Sequence, residues 1–298
     1  RAGVVKVARL ETGETAPPGF VPVGFETCAS LRLDPQRLFD DIASLYDKFQ
    51  YKGAFRKLVA DNLSANLPID FEQDFVGNLT GSLFYITGYD DTGRSFGAKP
   101  NVAVGVKDVE AAQASLTKLQ ALEPDDMVEQ SLGSVTYYEL VNAGPGRRRP
   151  REERPFIPCV GLIGEHLVAS QSTQVFRQMV EAHEGSRPRL VESLQHRLVM
   201  SRLKRMTGGR PLSAVLYRDS EPGIRHMHQM ATSDKNRERL DRFAEDVTFL
   251  RYVRDVLDGA DIPPVETLLR YSTPGGSAIV DTPTGWSMIG FSFKPPER

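Results

Sequence analysis

The chain has 298 residues, of which 40% are hydrophobic and 26% charged, proportions that suit one large globular domain or two ordinary ones. A core of that size folds without a disulfide or a metal, so no cofactor is expected. A formal net charge of -2 supplies no field to gather nucleic acid or hold an anionic membrane surface, and no run of about eighteen apolar residues is present to span a bilayer.

Because the chain begins at Arg1 and not at Met, it is expected to be a processed product from which any signal peptide or anchor has been cut. Residues 25–33 read as a strand that stops at Asp34-Pro35, with Asp34 the N-cap of a helix and Pro35 its first residue. Leu38, Phe39, Ile42, Leu45, Tyr46 and Phe49 follow at helical spacing as one apolar stripe. A shorter helix over 55–63 continues after Gly53. Residues 82–89 and 101–106 pair as a hairpin around the polar turn Asp90-Asp91-Thr92-Gly93. The second of these strands runs through Asp108 into a helix with Val109, Ala112, Leu116 and Leu119 on one face.

Residues 135–141 and 156–163 form the next hairpin, across a long polar connection. The strand–helix unit returns at 167–170, followed by Val175, Phe176, Met179 and Val180. It returns again at 212–218, passing through Asp219-Ser220-Glu221-Pro222 into a helix over 224–231. In each unit a short polar residue stands where the helix needs a cap. The longest helix is predicted over 236–257, with Phe243, Val247 and Leu250 on one side. Ile279 and residues 285–293 close the chain as a hairpin bent at Pro283-Thr284-Gly285. Trp286 and Met288 fall on one face of that last strand, and Ile289, Phe291 and Phe293 on the other. A strand apolar on both faces is expected inside a sheet or beneath a helix.

One unit occurring four times points to internal duplication, and hairpin-joined strands exclude a strictly alternating parallel sheet. The predicted class is α+β: largely antiparallel sheets with amphipathic helices packed on one face, built from repeated strand–helix units. Residues 1–298 read as a single domain of two loosely similar halves. A boundary between them would fall at 142–155, a stretch that also reads as a hairpin tip. The tip is favoured because Tyr137, Tyr138 and Ile157 need each other as strand partners.

The candidate sites are sparse. His226 and His228 lie two apart in a helix, about 200° around its axis, so they cannot face one metal; both are expected exposed or half-exposed. Ser115-Leu116-Thr117-Lys118 and Ser201-Arg202-Leu203-Lys204 have the spacing of a serine nucleophile and its lysine, but the companion motifs of such enzymes are missing. Asp40-Asp41, Asp90-Asp91 and Asp125-Asp126 are neighbours whose side chains diverge, which suits helix surfaces and turns. Cys28 and Cys159 are two buried thiols or a bridge between neighbouring strands. Arg147, Arg148, Arg149 and Arg151, among prolines and glutamates, make a solvated loop or a contact patch for an acidic protein or envelope partner.

Several segments resemble a large bacterial family of extracytoplasmic proteins, a domain of unknown function (family thirty-three fifty-two). They are Phe20-Val21-Pro22, Leu33-Asp34-Pro35, Ile69 to Phe75 leading to Gly81-Ser82-Leu83, Val104 to Asp108, Gly164 to Ser170, and Asp281-Thr282-Pro283-Thr284-Gly285-Trp286. The resemblance implies an extracytoplasmic bacterial protein, periplasmic, secreted or tethered through a removed N-terminal segment, and no catalytic residues. The leading functional expectation is therefore a non-catalytic binding or scaffold domain of the cell envelope. Its rivals are an enzyme of the hydrolase type, with a site assembled from dispersed Asp, His and Arg, and a carrier of an apolar ligand. A cleft gathering titratable groups, a deep apolar cavity or a filled core tells them apart.

Overall fold

Among the described residues ten strands join in one antiparallel sheet: β1 (Thr27–Arg32), β2 (Leu79–Gly88), β3 (Lys99–Val106), β4 (Met127–Leu132), β5 (Val135–Leu140), β6 (Cys159–Ile163), β7 (His166–Ser170), β8 (Leu212–Arg218), β9 (Gly275–Thr282) and β10 (Gly285–Ser292). They lie in the order β10-β9-β8-β1-β2-β3-β7-β6-β5-β4. The computed structural model describes residues 10–64, 67, 69–90, 97–142, 157–234, 238, 241, 251–252, 254–255, 262–282 and 285–294. The expected helix over 236–257 falls largely outside them, as do the 142–155 stretch from residue 143 onward and Arg147, Arg148, Arg149 and Arg151 within it.

All four strand–helix units are present. β1 leads to α1 (Pro35–Phe49), β3 to α3 (Val109–Leu122), β7 to α4 (Thr173–His183) and β8 to α6 (Glu221–Thr232); α2 (Ala54–Val59), α5 (Leu194–Met206) and α7 (Val265–Leu269) are further α-helices. Asp34 and Asp108 cap as predicted, accepting from the Arg37 and Ala111 amides at 3.0 and 2.9 Å. The other two units use their serines differently. Ser172 donates to Asp90 at 3.2 Å and Ser220 shares a 2.9 Å hydrogen bond with Ser272. β1–α1–β2–β3 and β8–α6–β9–β10 are both strand–helix–hairpin units, and they meet where β1 pairs antiparallel with β8. The sheet therefore grows outward from that seam in both directions.

The largest cluster of buried residues lies on one face. Cys28, Ile86, Ala103, Tyr137, Ile163, Val168 and Val215 point into it from the strands. Val175, Phe176, Met179 and Val180 of α4 and Val199 and Leu203 of α5 cover them, all fully buried. The expected arrangement has the helices on one face. α4 and α5 do share one, but α3 lies on the other, where its Leu116 packs with Val106, Tyr138 and Leu162. Neighbours Tyr137 and Tyr138 belong to different clusters because a strand alternates its side chains.

β10 departs from expectation. Its alternation is as read, but it is the sheet's last strand and not an interior one. Phe291 packs towards α5's side, while Trp286 and Met288 are 39% and 70% exposed. Cys28 and Cys159 are both buried and free, with β2, β3 and β7 between their strands. Burial pushes the Cys28 thiol up to about 12. No helix among the described residues is long and apolar enough to cross a membrane.

Candidate functional site

Strand register brings three distant residues to one end of the sheet. Thr27 pairs with Thr87 on one side and with Arg218 on the other. Glu26, the residue before, is therefore flanked by the segments leaving β2 and β8: its amide donates to Thr87 O at 2.9 Å and its carbonyl accepts from the Asp219 amide at 2.8 Å. Tyr89 follows β2 and donates its hydroxyl to Glu26 Oε2. α6 starts beside this pair, and Gly223 lets it approach: a Cβ there would stand 2.8 Å from Tyr89 Oη. One turn on, the His226 ring lies over the Tyr89 ring with centroids 4.5 Å apart.

Tyr89, Asp219 and His226 line a cleft of about 480 Å³ between α4, the start of α5 and α6, with Glu26 held just behind Tyr89. Asp90, Gln178 and His226 in its walls are all buried. Gln178 donates to Tyr89 O at 3.2 Å, which fixes the strand exit. Burial, followed by the Glu26 carboxylate, pushes the Tyr89 phenol up. Burial likewise raises Asp219, helped by the charges of Glu221 and Glu26 and opposed by the Glu221 amide, which donates to it at 3.0 Å. Lys99, which feels the Asp90 charge, is buried, and its amine is pushed down by that burial against that pull.

Two other concavities are poorer sites. The larger, about 870 Å³, lies between α3 and the turns at Ser134 and Gly164, and none of the polar residues lining it is buried. The other, about 310 Å³, is an apolar hollow under α1 lined by Leu38, Phe39, Val76, Leu79, Leu83 and Val104. It is at the small end of ligand pockets and has few polar groups to orient a guest.

Of the candidate site residues named from the sequence, two reach the cleft, Asp90 and His226. His226 is there and buried, contrary to the exposed state expected, because Tyr89 covers it. His228 points away and is paired with Pro263 O at 3.1 Å. Asp90 is also buried, not a solvated turn residue, because Ser172 meets it from the start of α4. Ser115 donates to Ala111 O at 2.9 Å as an ordinary helix serine, and Ser201 and Lys204 are exposed on α5. Asp40 is taken by Arg56 at 2.6 Å, and Asp126 by Asn142. Among the described residues no three His, Cys, Asp or Glu side chains converge as metal ligands. Glu26, Tyr89, Gln178 and Asp219 were not anticipated as site residues; the capping stretch Asp219-Ser220-Glu221-Pro222 was the one local signal near them. No family model, curated protein or solved structure matches this chain.

Proposed function

We propose that this protein is a non-catalytic binding domain of the bacterial cell envelope, working outside the cytoplasm, with its ligand held in the cleft at the ends of β1, β2 and β8. What supports a binding role is the way the polar groups in and behind the cleft wall are held by fixed partners. Glu26 is held by Tyr89 and Arg218, Glu221 by Arg225, and Asp90 by Ser172. Groups positioned this way recognise a ligand without having to reorganise. The one phenol is tied to a carboxylate and made a weaker acid, which suits a hydrogen-bond donor better than a nucleophile. The envelope setting is supported by the segmental resemblance set out above.

Native mass spectrometry of the protein purified from its own host tests both parts. It should be recovered from the envelope fraction with a small molecule that dissociates on activation. The released compound, returned to fresh protein, should come back unchanged. Its conversion to a product of different mass would overturn the non-catalytic reading, and recovery from the cytosol would overturn the location.

A further inference from the structure

Taking the cleft as the binding site, we propose that its ligand is an organic cation, an ammonium or guanidinium group placed on Asp219 beside the Tyr89–His226 ring pair. One carboxylate of the cleft lacks a counter-charge among the described residues. The other carboxylates in and around the cleft face a cation of the protein itself. Glu26 has Arg218 at 3.5 Å, Glu221 has Arg225 at 2.8 Å, and Glu181 has Arg187 at 3.1 Å. Asp90 feels Lys99.

Among the described residues Asp219 faces no such cation. Its carboxylate accepts from one backbone amide, of Glu221, and its neighbours Glu26 and Glu221 carry its own sign. A carboxylate withdrawn from water among like charges is unfavourable unless an opposite charge is supplied. Here the opposite charge has an open cleft of about 480 Å³ from which to arrive.

The walls select the kind of cation. The face of a tyrosine ring attracts ammonium and guanidinium groups, and the Tyr89–His226 stack places such a ring in the same cleft as Asp219. A bare metal ion needs several ligands aimed at one point, and among the described residues no His, Cys, Asp or Glu trio converges in that way. An anion would meet Asp219 and Glu221 in the cleft wall, with the charge of Glu26 close to Asp219. Arg187 and Arg225, which could have welcomed one, already hold Glu181 and Glu221.

Calorimetric titration of the intact protein with butylammonium and with tetramethylammonium chloride tests this, with sodium acetate and butanol as the anionic and neutral controls. At least one cation should bind saturably and neither control should. Asp219→Asn should weaken that binding about tenfold or more, yet melt no lower than the parent, because it removes an uncompensated charge. A carboxylate that served the fold alone would lower the melting temperature instead. Gln229→Lys, at an exposed position on the cleft wall, places a tethered ammonium in the same space and should also weaken binding. No saturable cation binding, or equal affinity in Asp219→Asn, overturns the proposal. A neutral or anionic ligand retained from the host would overturn it too, while leaving the cleft as the binding site.

Discussion

The two faces of the sheet are made by the same ten strands, yet they are built to different standards. On the α4–α5 face, Val175, Phe176, Met179, Val180, Val199 and Leu203 all have no exposed surface. On the α3 face the buried cluster is small, centred on Leu116, Tyr138 and Leu162. Away from α3 that face leaves Tyr85 and Val102, direct cross-strand partners, 46% and 41% exposed. Alternation gives every strand two apolar sides, but the helices that follow cover one of them far more completely. Stability therefore resides mainly on one face, and the cleft sits at that face's polar end, where the strands stop and the caps begin.

Paired truncations test the comparison most strongly. Phe176→Ala removes a fully buried ring packed on Tyr137 at 5.1 Å and should cost about 3–5 kcal/mol. Leu116→Ala, in the smaller cluster, should cost about 2–3 kcal/mol. Chemical denaturation of the two variants gives both numbers. Equal losses would mean that the faces contribute alike.

Acid sharpens the same contrast, because two histidines serve the α4–α5 face. His166 lies edge-on to Phe20 and Phe84 at 5.3 and 5.6 Å, and His196 edge-on to Tyr217 at 5.4 Å. Burial holds both below the ordinary value of 6.5. For His166 the Glu165 charge opposes the shift and that of His183 adds to it. The folded protein thus binds fewer protons than the unfolded chain as pH falls below 6.5. Stability should be intact above that value and decline beneath it. Asp219, raised in the fold, acts in the opposite sense at lower pH, within the carboxylate range. Thermal melts between neutral pH and the carboxylate range should show the decline, and His196→Phe should flatten it. A flat profile in the parent would show that these rings titrate as freely as exposed ones.

The local parts of this architecture were legible in the sequence, and the long-range parts were not. Asp34 and Asp108 announced their helices because a cap reaches an amide only three residues on. Leu116 and Phe176 announced buried faces because helical spacing is local too. β4 escaped because Met127-Val128-Glu129-Gln130-Ser131-Leu132 shows no clean alternation on its edge position. α5 escaped because its inward side is only His196, Val199 and Leu203 among basic residues. The cleft escaped for a different reason. Glu26 and Tyr89 are 63 residues apart, and Asp219 arrives only because β8 pairs with β1 and not with its chain neighbour β7. Nothing in a residue's near neighbours specifies which distant strand it will meet.

The smallest expected effect is at Trp286, where sequence and structure disagree most. Read along the chain, β10 is apolar on both sides, which would make its tryptophan a core residue whose loss unfolds the protein. In the sheet, β10 is an edge strand, and Trp286 lies on the face opposite Phe291. With 39% of its surface already in water, the ring has less burial to lose than Phe176. Its removal also leaves an open notch in place of a sealed void, so the cavity part of the penalty is small. Trp286→Ala should therefore cost about 1 kcal/mol and keep cooperative unfolding. The companion Phe291→Ala, on the α5 side where Arg202 stacks over the ring at 5.0 Å, should cost more. If Trp286→Ala proves the worse of the two, the exposed face is holding the sheet's edge more firmly than the covered one, and the ranking of the faces reverses at β10.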